Sequence, residues 1–160
     1  MTIRPIRELG DPVLRTPSDE VTAFDGWLAA LVRDLEETVD HPGRAGVAAP
    51  QIGVNVRAFS YNIDGVIGHM VNPVIVERSE EIQDGDEGCL SVPGIWAPTV
   101  RSLRCVAEGF DVEGKPLRLE GEGLMARCLQ HEVDHLDGKV FLDRLTGDAR
   151  KAALRALRDR

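Results

Sequence analysis

Long apolar runs are absent from this sequence. No stretch approaches the ~18 residues that a membrane-crossing helix needs, and the opening Met1-Thr2-Ile3-Arg4-Pro5 lacks the apolar centre of a secretion signal. The expectation is a cytoplasmic protein without membrane attachment. Aromatic residues are scarce, 4% against 42% hydrophobic in all, so aliphatic side chains must fill the core. Cysteine is scarce too. Three of them, an odd number without framework spacing, argue for free thiols in a reducing compartment and against a disulfide scaffold. Basic residues fall short of acidic ones, 19 Lys and Arg against 27 Asp and Glu, for a net charge of −8. Direct nucleic-acid binding, which calls for a basic surface, is not expected. No repeat, low-complexity segment or interdomain linker interrupts the chain, and its length suits a single domain over residues 1–160.

What the sequence does hold is Gln130-His131-Glu132-Val133-Asp134-His135-Leu136-Asp137-Gly138. His131 and His135 are four apart, so on a helix they share a side and can each offer one imidazole nitrogen to a single divalent metal. Glu132 then sits beside that metal. A carboxylate there can take a proton from a water that the metal activates and pass it to a leaving group. Two of the chain's four histidines fall in this pattern. His41, at a helix end, and His69, before a strand, read as surface or structural residues.

A catalytic site of this kind needs a third protein ligand and one open position. Downstream, the spacing of one large metallopeptidase class would require a histidine at Phe141, and no Glu follows Glu132. Asp137, Asp143, Asp148 and Asp159 are weak candidates. Upstream lie the cysteines. Cys128 is seven positions before His135, about 10 Å along a helix axis, too far for both to bind one metal at about 2.0–2.3 Å. Cys105 sits in an apolar run, where a free cysteine is usually a small core residue. Cys89 lies in Asp86-Glu87-Gly88-Cys89-Leu90-Ser91-Val92-Pro93-Gly94, which reads as irregular and free to aim a thiolate inward. Cys89, His131 and His135 around Glu132 form the leading constellation.

Along the rest of the chain, residues 1–24 read as an extended arm that turns at Gly10-Asp11-Pro12. Asp25 caps a helix whose apolar positions are Leu28, Leu31, Val32, Leu35 and Val39, stopped by His41-Pro42-Gly43. Gly43 to Gly53 is a small-residue loop. Strands are expected at 54–61, at 70–76 (edge or irregular, because of Pro73) and at 79–83. Val100–Phe110 and Lys115–Leu119 should form a hairpin across Asp111-Val112-Glu113-Gly114. Glu120 to Gly123 reads as a break before the metal helix, Leu124 to Gly138. A short basic helix, 148–158, follows a cap at Thr146 or Asp148, with its charges solvated. The fold class is α+β: antiparallel β-sheets packed around a central metal-binding helix, with an N-terminal helix and a short C-terminal helix.

Three motifs in this order, Gly46-Val47-Ala48-Ala49-Pro50-Gln51, Glu87-Gly88-Cys89-Leu90-Ser91 and His131 to Gly138, resemble the signature motifs of the peptide deformylases. Gly10-Asp11-Pro12-Val13-Leu14-Arg15 resembles that family's opening, and the likeness runs from about residue 3 to 145. The resemblance implies a hydrolase that removes the formyl group from the N-terminal methionine of nascent polypeptides, at or near the ribosome, and releases formate. It implies Cys89, His131 and His135 as metal ligands, Glu132 as general base, and Gln51 with the Leu90 backbone N–H as oxyanion donors. Gly46, Leu124 and Cys128 match positions that face the methionine side chain. Ferrous iron is the implied metal, with zinc, nickel and cobalt also suited to the donor set. Glu87 is expected to orient a ligand and to pair with Arg101. Two departures stand out. Arg44 replaces a family glycine, and Trp96 occupies a place where many members carry a substrate-contacting arginine.

Two rivals follow from the residues alone. A metallopeptidase cutting internal bonds lacks its downstream ligand here. A non-catalytic module with a structural metal would close the fourth position and leave Glu132 without a chemical reason.

Overall fold

A computed structural model describes residues 3–160; Met1 and Thr2, at the head of the expected arm, lie outside the described residues. The arm is extended, with a short 3-10 turn over Pro12–Arg15 that Asp11 caps by accepting from the Val13 N–H. It binds to distant parts of the chain through its backbone. The Arg7 N–H donates to the Gln51 carbonyl, Leu9 to Ser91 and Ser18 to Leu136.

Helix α1 spans Gly26–Val39, and the Asp25 carboxylate accepts from the Leu28 N–H at 3.1 Å, as the capping pattern predicts. Its buried positions are the expected Leu28, Leu31, Val32, Leu35 and Val39, joined by Thr38. The five apolar ones form one core cluster with Val47, Ala49, Ile52, Ala58 and Val71. Full burial of each such leucine or valine contributes roughly 1.5–3 kcal/mol. Arg44 donates from Nη1 to the Thr38 carbonyl at 2.7 Å, satisfying an acceptor that the end of α1 leaves open. Its backbone is outside the left-handed region, so an arginine stands there without strain.

Strands β1 (Gly46–Ala48), β2 (Ala58–Ile63), β3 (Val66–Arg78), β6 (Arg104–Phe110) and β7 (Pro116–Glu122) form an antiparallel sheet in the order β1-β2-β3-β6-β7. Strands β4 (Ile82–Cys89) and β5 (Val92–Ser102) form a separate two-stranded sheet. The sequence expectations need correction: β4 starts at Ile82 rather than at 79, and Glu120 to Glu122, read as a break, complete β7. The small-residue loop contains β1. Strand β3 is interior and irregular, the second of the two alternatives that Pro73 suggested: this residue sits where the β3–β6 register slips between Val71 and Val74, at a bulge that needs no N–H there. The run Val100–Phe110 is broken at Leu103, and its halves join different sheets. The stretch around Cys89 is a hairpin rather than irregular chain, with Leu90 and Ser91 at its turn and a register slip after Gly88.

Helix α2 spans Leu124–Leu136 and stops where Gly138 adopts φ 77°. A methyl group on Gly138 would lie 2.8 Å from the Arg15 carbonyl oxygen, so the close approach of the arm also requires glycine. One face of α2 packs Ala126, Leu129 and Leu136 with Phe59, Met70 and Ala107 of the large sheet. The small hairpin packs Val92, Ile95 and Ala97 against Val140, Phe141, Leu142 and Leu145, and against Ala153 of helix α3 (Gly147–Arg158). This sets α2 between the sheets, in the α+β arrangement expected. No helix among the described residues is long and apolar enough to cross a membrane.

Candidate metal centre

Helix periodicity brings His131 and His135 to one side of α2, and the β4–β5 turn brings Cys89 to meet them. His135 Nε2 lies 3.2 Å from His131 Nε2 and 3.3 Å from Cys89 Sγ. The three donor atoms lie within 4.8 Å of one another. Bonds of about 2.1 Å at a tetrahedral angle would separate two nitrogens by about 3.4 Å, so the spacing fits one shared ion. Asp137 pairs instead with Arg57, and Asp143 with Arg15, so neither competes as a third ligand. Cys105 Sγ faces the Ala126 carbonyl and Cys128 Sγ the Ala45 carbonyl.

The electrostatics fit a cation as well. Burial works against ionising Cys89, but His135 and His131 outweigh it and hold the thiol well below its usual range. Burial also works against charging His131, yet hydrogen bonds to Cys89 and Glu87 push its pKa well above the ordinary value. The pocket therefore attracts positive charge, which a divalent metal would supply.

Glu87 accepts from four nitrogens. His131 Nδ1 is 2.6 Å from its Oε2, Arg101 binds both oxygens at 3.0 and 2.7 Å, and Arg127 reaches Oε1 at 2.7 Å. Burial alone would raise its pKa, but His131 and Arg101 hold it well below the carboxylate range. An ionised Glu87 fixes the proton on His131 Nδ1 and leaves Nε2 free to bind metal. The expected Glu87–Arg101 pair is thus present, and it is part of a larger network. Arg101 also donates to Asp134 at 2.7 Å, and Arg144 binds the same carboxylate at 3.1 and 2.7 Å. Sequence reasoning missed Arg127, Asp134 and Arg144. A charged residue on an amphipathic helix normally faces water, and only their burial in this fold reveals their partners. For Asp134 the one signal was its place between the two histidines.

Glu132 is 2% exposed, and its Oε1 has no hydrogen-bond partner. Burial raises its pKa, with His131 and His135 opposing. Gln51 is also buried. Its Oε1 accepts from the Ala48 N–H at 2.9 Å, which turns Nε2 toward Ser91 Oγ at 3.1 Å and Cys89 Sγ at 3.7 Å. Ser91, unassigned from sequence, orients that amide. A cleft of about 420 Å³ opens onto these groups, and Gly46, Leu90, Leu124, Cys128 and Trp96 also line it. Leu124 is half exposed, whereas Cys128 is buried. Of the site residues named from sequence, Gly46, Gln51, Cys89, Leu90, Leu124, Cys128, His131 and Glu132 line this cavity, and His135, fully buried, meets Cys89 and His131 outside its lining.

A helix carrying His-Glu-x-x-His, a thiol aimed at its histidines and an unpartnered buried glutamate make up the architecture of a metallohydrolase. The family model described as Polypeptide deformylase matches residues 3–151. The chain belongs to that family. A peptide deformylase of Acidothermus cellulolyticus is 57% identical over 159 residues, covering 99% of this chain and 88% of the relative. Peptide deformylase 1 of Corynebacterium efficiens is 46% identical over 162 residues, covering 99% and 96%. Among solved structures, a peptide deformylase of Legionella pneumophila superposes with TM-score 0.90 at 40% identity, covering 99% of this chain and 95% of that one.

Proposed function

We propose that residues 1–160 act as one metallohydrolase unit in which Cys89, His131 and His135 hold a single divalent ion and Glu132 moves the protons. The enzyme is a peptide deformylase: it hydrolyses the formamide of N-terminal formylmethionine on newly made polypeptides, releasing formate and a free amine. We place this encounter in the cytoplasm and at the ribosome, because formylated termini belong to chains just made. The proposed cellular metal is ferrous iron, and the same sulfur and nitrogen donors suit zinc, nickel and cobalt.

When bound, the metal would supply a water of lowered pKa and a Lewis acid for the formyl oxygen. The chain's own groups do the rest. Glu132, unpartnered at Oε1, takes the proton of the attacking water and delivers it to the leaving amine nitrogen. Gln51 Nε2, directed toward Cys89 by the Ala48 N–H and Ser91, donates to the developing oxyanion, and the Leu90 N–H is the second donor. Loss of one such donor typically costs about 10²–10³ in rate. The methionine side chain enters the cavity between Gly46, Leu124 and Cys128. The observation that carries the reading is Glu132, buried and unpartnered beside three convergent donors.

The test measures metal content together with formate release from formyl-Met-Ala-Ser. One ion per chain and stoichiometric formate are expected. A bound ion without formate would leave a structural metal site and remove the hydrolase assignment.

A further inference from the structure

The most exposed large apolar side chain among the described residues is Trp96, 68% exposed, and it lines the cleft of the metal centre. A large apolar surface left in water at the entrance of a site marks a place where something binds. Trp96 pairs with Gly88 across the β4–β5 hairpin, and its ring rests on that glycine. A methyl group on Gly88 would come 2.7 Å from Trp96 Cε3, so the absence of a side chain makes the seat. Gly88 directly precedes Cys89. The ring is thereby fixed beside the metal centre, with its free surface turned to the cleft.

Where a substrate would meet this ring follows from chain dimensions. The inner end of the cleft, at buried Cys128 and Glu132, takes the formylmethionine in the function proposed above, on which this inference rests. The next α-carbon lies about 3.8 Å further along the peptide. It is therefore the second residue that leaves the inner cavity and reaches the rim. An indole offers area and a π face. It attracts flat and branched apolar groups, and its negative face disfavours a carboxylate.

We propose that Trp96 is a specificity-determining residue, selecting substrates with an aromatic or branched aliphatic side chain after the formylmethionine. Aromatic contacts of this size are worth about tenfold in binding.

The experiment compares kcat/KM for formyl-Met-Xaa-Ser with Xaa as Phe, Leu, Ala or Asp, using the metal-loaded full chain. Wild type should prefer Phe over Ala by about tenfold, mainly through KM, with Leu between them. Trp96→Ala should bring the Phe-to-Ala ratio to within about twofold, and Trp96→Phe should restore most of it. Trp27→Ala, the other tryptophan, lies outside the cleft and should keep the wild-type profile. Binding is read separately in Trp27→Phe, where Trp96 is the sole indole: titration with the product Met-Phe-Ser should shift its emission at lower concentration than Met-Ala-Ser does. A Phe-to-Ala ratio unchanged in Trp96→Ala, or an equal loss on all four peptides, would overturn the proposal in favour of a supporting role in the hairpin. No formate from any peptide with wild type would instead overturn the deformylase reading, and this inference with it.

Discussion

Gly46 has no side chain because Glu132 occupies the place one would take. A methyl there would lie 2.6 Å from Glu132 Oε2 and 3.0 Å from Cys128 Sγ. Gly46→Ala should therefore displace the carboxylate while leaving the three donors in place. The expected result is a fall in kcat/KM of about 10², the usual cost of a misplacement near 1 Å, with unchanged metal content by elemental analysis. Glu132→Gln keeps the size and cannot accept a proton. It should retain metal and lose about 10²–10⁴ in rate, and activity within tenfold of wild type would remove Glu132 from the base role. Cys89→Ser should lose metal on dialysis sooner than Cys105→Ser or Cys128→Ser, since the latter two sulfurs face backbone carbonyls. Equal retention in all three would mean a misassigned ligand. At this scale the site was largely legible. His131 and His135 stand at helical spacing with a glutamate between, and Cys89 followed once the other thiols were excluded on reach or setting. Arg127 was not legible, because nothing local distinguishes it from a solvated arginine.

The elements were legible where one face is apolar. Helix α1 shows the helical repeat together with its Asp25 cap, and its bounds follow. The β4–β5 hairpin shows no such pattern. Asp84-Gly85-Asp86-Glu87-Gly88 has little intrinsic preference for a strand, and it pairs because the partner strand and a buried charge network hold it. Glu87 of β4, Arg101 of β5 and Asp134 of α2 tie the hairpin to the helix. Asp134, like Glu87, is held below its usual pKa: burial opposes this, but Arg144 and Arg101 prevail. Both folded-state values are lowered, so the stabilisation is fully present above the ordinary carboxylate pKa and is lost as pH falls through the lower folded values. Urea unfolding of metal-free protein should show stability falling steadily below about pH 4.5. Glu87→Gln should be less stable at neutral pH and lose less on acidification. An acid slope identical to wild type would show that Glu87 is not a principal source of the effect.

For the molecule as a whole, the three donors come from two sheets' worth of separate packing: Cys89 from the hairpin, His131 and His135 from the helix that the large sheet carries. An ion that bridges them binds the folded state and not the unfolded one. At a metal concentration about a thousandfold over Kd this adds about 4 kcal/mol, or roughly 10 °C in Tm for a chain of this size. Removal by chelation should lower Tm by that amount, and re-addition should restore it, as followed by circular dichroism. An unchanged Tm would mean that the three side chains do not bind metal together. The α+β class was legible from the order of strands and helices. The division into two sheets was not, because it turns on Leu103, one residue within an apparently continuous apolar run.

The N-terminal arm carries a consequence in time. Arg15 pairs with Asp143, 128 positions away, and Ser18 with Leu136. A ribosome adds about 5–20 residues per second, so Arg15 and Ser18 emerge roughly ten seconds before Asp143 and Leu136. During that interval these two contacts cannot form, and the stretch from Arg15 to Ser18 stays undocked at them. The same arm holds the Gln51 carbonyl through Arg7 and the Ser91 carbonyl through Leu9. The arm is thus fully docked only once α2 and Asp143 have emerged, although its contacts to Gln51 and Ser91 can form earlier.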